Sequence, residues 1–447
     1  MLSTAYLSLP PAIQNLALSA YGAVMYKQRF GKKIIAPYNT LNENIFQRPT
    51  EFQLIEQKIR LRELLEHCRK YVPYYKPYLI NVNVQNLAPE NLSQLLPKLT
   101  KKIFLENSDE FISRHPSFKR GTIKLNTSGS SGTPLTILSS PEARQLNYHL
   151  FDLVLRSFGC HYRSKKTIFA GRILYRNVEA APDRYDYFNR TQYLSSYFIS
   201  EATISQYISA LNKWKPEFID AYPSAIFQIQ SLARDQNLEL SFKPKFILTS
   251  SENLSAEAKD AIESFFKAPV LDNYGCTEMA ICAFSKGNKY FVPPLYSVVE
   301  LEHAFDNSYS VIATGLLNFA MPLLRYDIGD IVEISSTDTN YVFDRIEGRV
   351  DDIVMTPEGR KIGRMDPAFK GVEGVEQSQI IQTHIDKLLV NIKLNAANSA
   401  KFNANLLVQN IKMRTSEKMQ VDIKYVDVIE KTKNGKLKSV ISKITRG

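Results

Sequence analysis

Hydroxyls and glycines crowd together at one place in the chain, Thr127-Ser128-Gly129-Ser130-Ser131-Gly132-Thr133-Pro134. Glycines let the backbone turn tightly enough for free N–H groups to ring a phosphate, and the hydroxyls add neutral donors. No Gly-Lys-Ser/Thr closes the turn, so it is not a Walker A loop. Alone, such a run is as readily an ordinary turn. Further along, Tyr274-Gly275-Cys276-Thr277-Glu278 follows the apolar run PVLDN, which reads as a strand. It offers a carboxylate that can stand beside a phosphate-bound Mg²⁺. Arg325-Tyr326-Asp327-Ile328-Gly329-Asp330 offers a carboxylate at a glycine turn, suited to two ribose hydroxyls. Gly348-Arg349-Val350-Asp351 falls where the texture of the chain changes, and Lys431-Thr432-Lys433-Asn434-Gly435-Lys436 sets a lysine on a glycine-hinged loop. A Gly-Asp pair is usually a β-turn and a Lys-Gly-Lys a solvated surface. In this order, coincidence becomes a poor account of all of them.

Other reactive side chains point nowhere so definite. Cys276, Cys282 and His303 match no zinc spacing, and Cys276 inside its motif reads as a small buried thiol. Four cysteines without a CxxC pair fit a reducing cytosol. His115, His161 and His384 have no partner at a diagnostic spacing.

The elements that must position these groups come next. With 447 residues the chain exceeds one ordinary core, which predicts two domains of unequal size. A composition 44% hydrophobic and 23% charged is that of a globular protein. From about 120 to 350, short β-rich runs alternate with helical stretches, which predicts an α/β domain with substantial sheet. Ser140 and Ser255 each precede an acidic first turn and read as helix caps. After 351 the tail offers strands, one helix and a further strand, enough for a small α+β domain. The expected division is 1–348 and 349–447, with 1–50 a helical extension. Ile13, Leu16, Ala17, Ala20, Tyr21 and Val24 mark one apolar helical face, expected to pack on the main domain. A helix lying in a membrane interface is its alternative. No leader or span is expected, so the protein is read as cytoplasmic, with peripheral membrane contact as the variant. A net charge of +11 suits an anionic ligand or membrane surface; no basic run interleaved with aromatics points to nucleic acid.

Taken in order, the motifs resemble those of the adenylate-forming, acyl-CoA synthetase-like superfamily. More narrowly, the chain is similar to the phenylacetate–CoA ligase-like branch and, within it, to capsular polysaccharide biosynthesis proteins. RLRELLEHCRKYVPYYKPYL, LLPKLTKK, FAGR at 169–172, QYLSSYFIS at 192–200, DAYPSAI at 220–226, TSSENLS at 249–255 and KTKNGKLKSV at 431–440 carry that closer likeness. It implies a large adenylation domain and a small mobile lid domain, with ATP and Mg²⁺ as cofactors. By the resemblance, Thr127, Ser128, Gly129, Ser130, Ser131, Gly132 and Thr133 would hold phosphates. Ser251, Glu252, Asn273, Tyr274 and Gly275 would border the adenine. Thr277 would touch the α-phosphate, Glu278 the Mg²⁺, Asp330 the ribose, and Arg349 the ribose and phosphate. Asp351 would be the hinge and Lys436 the catalytic lysine. His161, Arg172 and Tyr222 are the candidates for the acyl pocket.

Two departures bear on the acceptor. Leu135 and Thr136 stand where many superfamily members have a lysine, and 353–375 lacks the usual glycine-rich continuation. In CoA-using relatives that region shapes the approach of the thiol. The expected reaction is therefore acyl-AMP formation from a carboxylate and transfer to an amine, hydroxyl or thiol, in surface polysaccharide synthesis. An aryl- or acyl-CoA ligase using CoA is the alternative. A catalytically idle nucleotide-binding or membrane-peripheral scaffold is the reading of another class.

Overall fold

Apolar strands buried on both faces set the plan of the molecule, because such strands pair in parallel and need helices over them. The computed structural model describes residues 4–31, 45–119, 121–126, 135–170, 182–336, 339–349, 354–358, 361–362, 365–369, 371–396, 398–430 and 437–444. Helices α1 (Pro11–Phe30) and α2 (Glu51–Tyr71) come first, the second opened by a capping box between Thr50 and Gln53. Helix α3 (Pro141–Ser157) begins where the Ser140 hydroxyl accepts from the Ala143 N–H. Strands β1 (Lys166–Ala170), β2 (Asp183–Asp186) and β3 (Thr191–Ser195) lead to α4 (Ile204–Trp214). An alternation follows: β4 (Phe218–Ala221), α5 (Pro223–Asp235), β5 (Phe246–Ser250), α6 (Ala256–Phe266) and β6 (Val270–Gly275). Ser255 caps α6 through Ala258 N–H.

Strands β7 (Cys282–Lys286), β8 (Lys289–Phe291) and β12 (Val342–Phe343) complete a nine-stranded sheet ordered β12-β8-β7-β6-β5-β4-β1-β3-β2. Its five middle strands, β6 to β3, are parallel; β7 runs antiparallel to β6 and β2 antiparallel to β3. A second sheet of β9 (Ser297–Phe305), β10 (Ser308–Gly315), β11 (Tyr326–Glu333) and β13 (Arg345–Arg349) is antiparallel. Beyond residue 354 a third sheet has its own apolar core around Val354, Ile380, Leu388, Val390, Leu407 and Ile411. It orders β16 (Gln420–Tyr425), β15 (Lys387–Leu394), β14 (Val375–His384) and β17 (Val440–Ser442), with α7 (Ala404–Arg414) packed on it. The chain is thus α/β, a large body with a small α+β unit at its C-terminal end, as the sequence pattern predicts.

Helix α1 reverses one expectation. Leu16, Tyr21 and Val24 are 66%, 62% and 56% exposed, and Ile13, Ala17 and Ala20 are exposed with them. Gln14, Asn15, Leu18 and Gly22 face inward instead. The reason is what α1 covers. It lies on β2, the edge strand, whose outer backbone groups need partners. Asn15 Oδ1 accepts from Tyr185 N–H at 2.9 Å, and Ser19 Oγ from Tyr187 N–H at 2.9 Å. The Arg184 guanidinium donates to Gln14 Oε1. Gly22 is required by close approach, since a Cβ there would overlap the Asp186 carboxylate. Among the described residues no helix is long and apolar enough to cross a membrane.

Candidate active site

The parallel strands β4, β5 and β6 end side by side. Ala221 pairs with Thr249, Thr249 with Asp272, and Ser250 with Asn273. Tyr222, Ser251–Glu252 and Tyr274–Gly275 therefore emerge together at the carboxyl edge, where β6 also meets its antiparallel neighbour β7. In open α/β sheets ligands bind in the crevice outside the carboxyl ends of the strands. Below this edge the Asp272 carboxylate is buried, accepting from Thr249 Oγ1 at 2.6 Å and Tyr290 OH at 2.6 Å. Burial pushes it up to about 6, and these hydrogen bonds hold the shift down.

Side chains from the second sheet reach the same edge. Tyr274 OH donates to Asp330 Oδ2 at 2.7 Å, and Tyr326 OH to Glu278 Oε1 at 3.4 Å. Asp330 is 8% exposed on β11, and the backbone of Arg349 on β13 stands opposite it. Glu278 is half-buried, and no Lys or Arg pairs with it among the described residues. A half-buried carboxylate with no cation beside it fits a hard divalent ion such as Mg²⁺. Thr277 is exposed at the mouth. The Cys276 thiol is pushed well up, by burial first and then by Glu278 and Asp330, which makes it a poor nucleophile. Two non-glycine residues here hold left-handed backbone, Ser251 at φ 72° and Met279 at φ 58°. Such strain persists only where the surroundings enforce it.

Glu252 takes a different direction from its neighbours. Its Oε2 accepts from Ser224 N–H at 2.9 Å, satisfying the first turn of α5, where Tyr222 supplies no side-chain cap. Its Oε1 accepts from Leu437 N–H at 2.8 Å in the small unit. Segment 437–440 is fixed in turn to β14, through Gln379 Nε2 to Lys438 O at 2.9 Å and Ile380 N to Ser439 O at 2.8 Å. Asp235 at the far end of α5 accepts from Asn395 Nδ2 at 2.6 Å, and Gln228 donates to Glu376 at 3.1 Å. A cleft of about 410 Å³ opens between the two units, lined by Phe227, Glu252, Leu254, Val375 and Leu437 among others.

Ser251, Glu252, Tyr274, Gly275, Thr277, Glu278, Asp330 and Tyr222 thus share one edge. Asn273 starts there, but its amide turns aside to Ala283 O at 3.2 Å. His161 does not join them. It is exposed ahead of β1, at the strand-start edge, and its Nδ1 accepts from Arg163 N–H. Phosphate-loop residues 127–133, Arg172, Asp351, Lys436 and the Arg349 side chain lie outside the described residues. The loop's flanks are described: Ile123–Asn126 pairs antiparallel with Thr136–Ser139, Asn126 opposite Thr136. Ser139 Oγ then meets Met279 Sδ at 3.5 Å, next to Glu278. Sequence reasoning missed Tyr326, although it stands inside the quoted RYDIGD run. It missed the Leu437 contact with Glu252, which no local pattern announces.

Residues 354–443 match the CapK C-terminal domain. Along 460 aligned residues the chain is 27% identical to Protein CapK of Staphylococcus aureus, covering 99% of this chain and all of that one. A 2-hydroxyisobutyryl-CoA ligase in the postadenylation state, in complex with R3-HIB-AMP, superposes with a TM-score of 0.68 at 16% identity, over 92% of this chain and 94% of that one. The same ligase with 2-HIB-AMP and CoA in the thioesterification state gives 0.54 at the same coverage. The chain has the fold of the adenylate-forming ligases and is similar to CapK from end to end.

Proposed function

We propose that this protein uses ATP to activate a carboxylate as acyl-AMP and then passes the acyl group to an acceptor. The observation that carries the reading is the Tyr274–Asp330 hydrogen bond, which joins two motifs 56 residues apart at one strand edge beside Glu278. In the first half-reaction a substrate carboxylate oxygen bonds to the α-phosphorus as the bond to pyrophosphate breaks. Two anions meet, so the barrier is mainly electrostatic. Asp330 receives the ribose hydroxyls, with Arg349 opposite it in the sheet. Tyr274 and the Ser251–Glu252 turn border the adenine, Thr277 meets the α-phosphate, and Thr127 to Thr133 hold the phosphates. Glu278 would hold Mg²⁺, which when bound would offset the charge of the phosphates. Lys436 enters from the small unit and bridges carboxylate and α-phosphate, with Asp351 as the hinge.

The position of Leu437 against Glu252 supports that entry, since it brings the segment next to Lys436 to the strand edge. The better match to the postadenylation form of the CoA ligase than to its thioesterification form supports a resting arrangement suited to the first half-reaction. The acceptor is an amine, hydroxyl or thiol. The similarity to CapK, together with the resemblance of the motifs to those of capsular polysaccharide biosynthesis proteins, supports a step in surface polysaccharide synthesis, such as amide formation with an amino acid or uronic acid. A second reading, transfer to CoA, is favoured by the structural neighbour's own activity.

Carboxylate-dependent ATP–pyrophosphate exchange tests the proposal, run over amino acids, uronic acids, aryl acids and fatty acids. At least one class drives exchange; none doing so overturns the ligase reading. Release of AMP greatly accelerated by CoA would select the second reading. Lys436→Ala slows exchange by about 10²–10³-fold while leaving transfer from preformed acyl-AMP nearly intact. Equal losses in both steps would contradict its role.

A further inference from the structure

Helix α1 is amphipathic in the wrong sense for a helix that only packs on its own protein. Its polar side is spent on the sheet edge, through Asn15, Ser19 and Gln14. Its outward side carries Ile13, Leu16, Ala17, Ala20, Tyr21 and Val24 in an unbroken helical stripe about 16 Å long. Leu9, 38% exposed, extends the stripe at one end, and Tyr187, 57% exposed, stands beside it. Apolar residues repeated on one exposed face are unusual where each could have been polar at no cost to packing. Charge says what covers them. The first acidic residue of the chain is Glu43, while exposed Lys27 and, further along the sequence, Lys32 and Lys33 follow the stripe; Arg29 is turned inward, over the Tyr148 ring and bonded to Tyr162. A second copy of the chain would bring another basic, acid-free helix against this one. An anionic bilayer surface supplies both an apolar boundary and negative charge.

We infer that α1 seats the protein on an anionic lipid surface, its stripe entering the headgroup–acyl boundary while the inner face stays bonded to β2. The helix lies flat rather than spans, because its inner face is held by the protein. Apolar burial and attraction of the basic end to acidic headgroups act together in such a contact. This inference does not depend on the reaction proposed above.

Full-length protein is mixed with vesicles of phosphatidylcholine and phosphatidylglycerol in equal amounts, and with pure phosphatidylcholine vesicles, then sedimented. Binding to the mixed vesicles is at least about tenfold stronger, and the double variant Leu16→Glu, Val24→Glu loses it by a similar factor. Both positions are exposed, so the variant melts like the parent, which keeps the result interpretable. In Leu16→Trp, lipids brominated along the acyl chain quench the new fluorescence. The inference is overturned if the parent stays in the supernatant with both vesicle types, if the double variant sediments like the parent, or if bromolipids leave Leu16→Trp unquenched. It is also overturned if light scattering finds a parent dimer that the double variant breaks without any vesicle binding.

Discussion

Helices α1 and α5 both close off the nine-stranded sheet, yet they meet it with opposite faces. Helix α5 lies over the flat of the sheet and buries Ala225, Ile226, Ile229, Leu232 and Ala233 against Ile219 and Ile247. Helix α1 lies along the rim and buries Gln14 and Asn15 together with Leu18 and Gly22. The face of a sheet is apolar side chains, whereas its edge is unpaired N–H and C=O groups. Helical periodicity in a sequence therefore fixes that a helix forms. Which side turns inward depends on the part of the sheet it covers.

The sharpest way to break this comparison is to remove one apolar side chain from each helix. Ile229→Ala, at a fully buried site on α5, costs about 2–5 kcal/mol in urea unfolding, since it leaves a cavity. Leu16→Ala is the smallest effect expected, within about 0.5 kcal/mol. Similar losses at both would show that the two faces are not inverted.

Between those extremes, the sheet interior and its rim differ in how they treat polar groups. Asp272 on β6 titrates at about 6 when folded, raised by burial, against about 4 when unfolded. A raised carboxyl pKa favours the protonated folded form, so its contribution is full below about pH 4 and is lost as pH rises through 6. The loss amounts to about 3 kcal/mol. Asp272→Asn removes that slope from stability measured between pH 4 and 7; an unchanged slope would place its origin elsewhere. Glu252→Gln weakens two charge-assisted hydrogen bonds, one at the head of α5 and one from Leu437 of the small unit, and slows adenylation by about tenfold, with transfer from acyl-AMP unchanged. Loss in both half-reactions would make Glu252 a prop of the fold only. At the rim, Asn15→Leu strands the Tyr185 N–H and costs about 1–3 kcal/mol, although it makes α1 more apolar. A stabilised variant would refute the polar inner face.

What could be read from the sequence follows the same line. The strand–turn motifs around Tyr274 and Asp330 were legible because their chemistry is local: an apolar run sets the strand, and glycine sets the turn beside the carboxylate. Helix caps at Ser140 and Ser255 were legible for the same reason. That Tyr274 would bond to Asp330 was not, since it depends on how one sheet abuts another. Glu252 read as an adenine neighbour by resemblance, while its two oxygens are given to Ser224 and Leu437, partners separated from it by 28 and 185 residues. His161 is grouped with Arg172 by closeness in sequence, but it precedes β1 and so stands at the strand-start edge, away from Tyr222.

The cover that α1 provides has a consequence for aggregation. Stripping the chain back past Phe30 would bare the Tyr185 and Tyr187 N–H groups, on and just beyond the last strand of a twisted sheet. Such a row recruits strands from other molecules. A truncated protein that precipitates would be reporting an open sheet edge seeking a partner strand. Point substitutions on the outer stripe leave that seal in place.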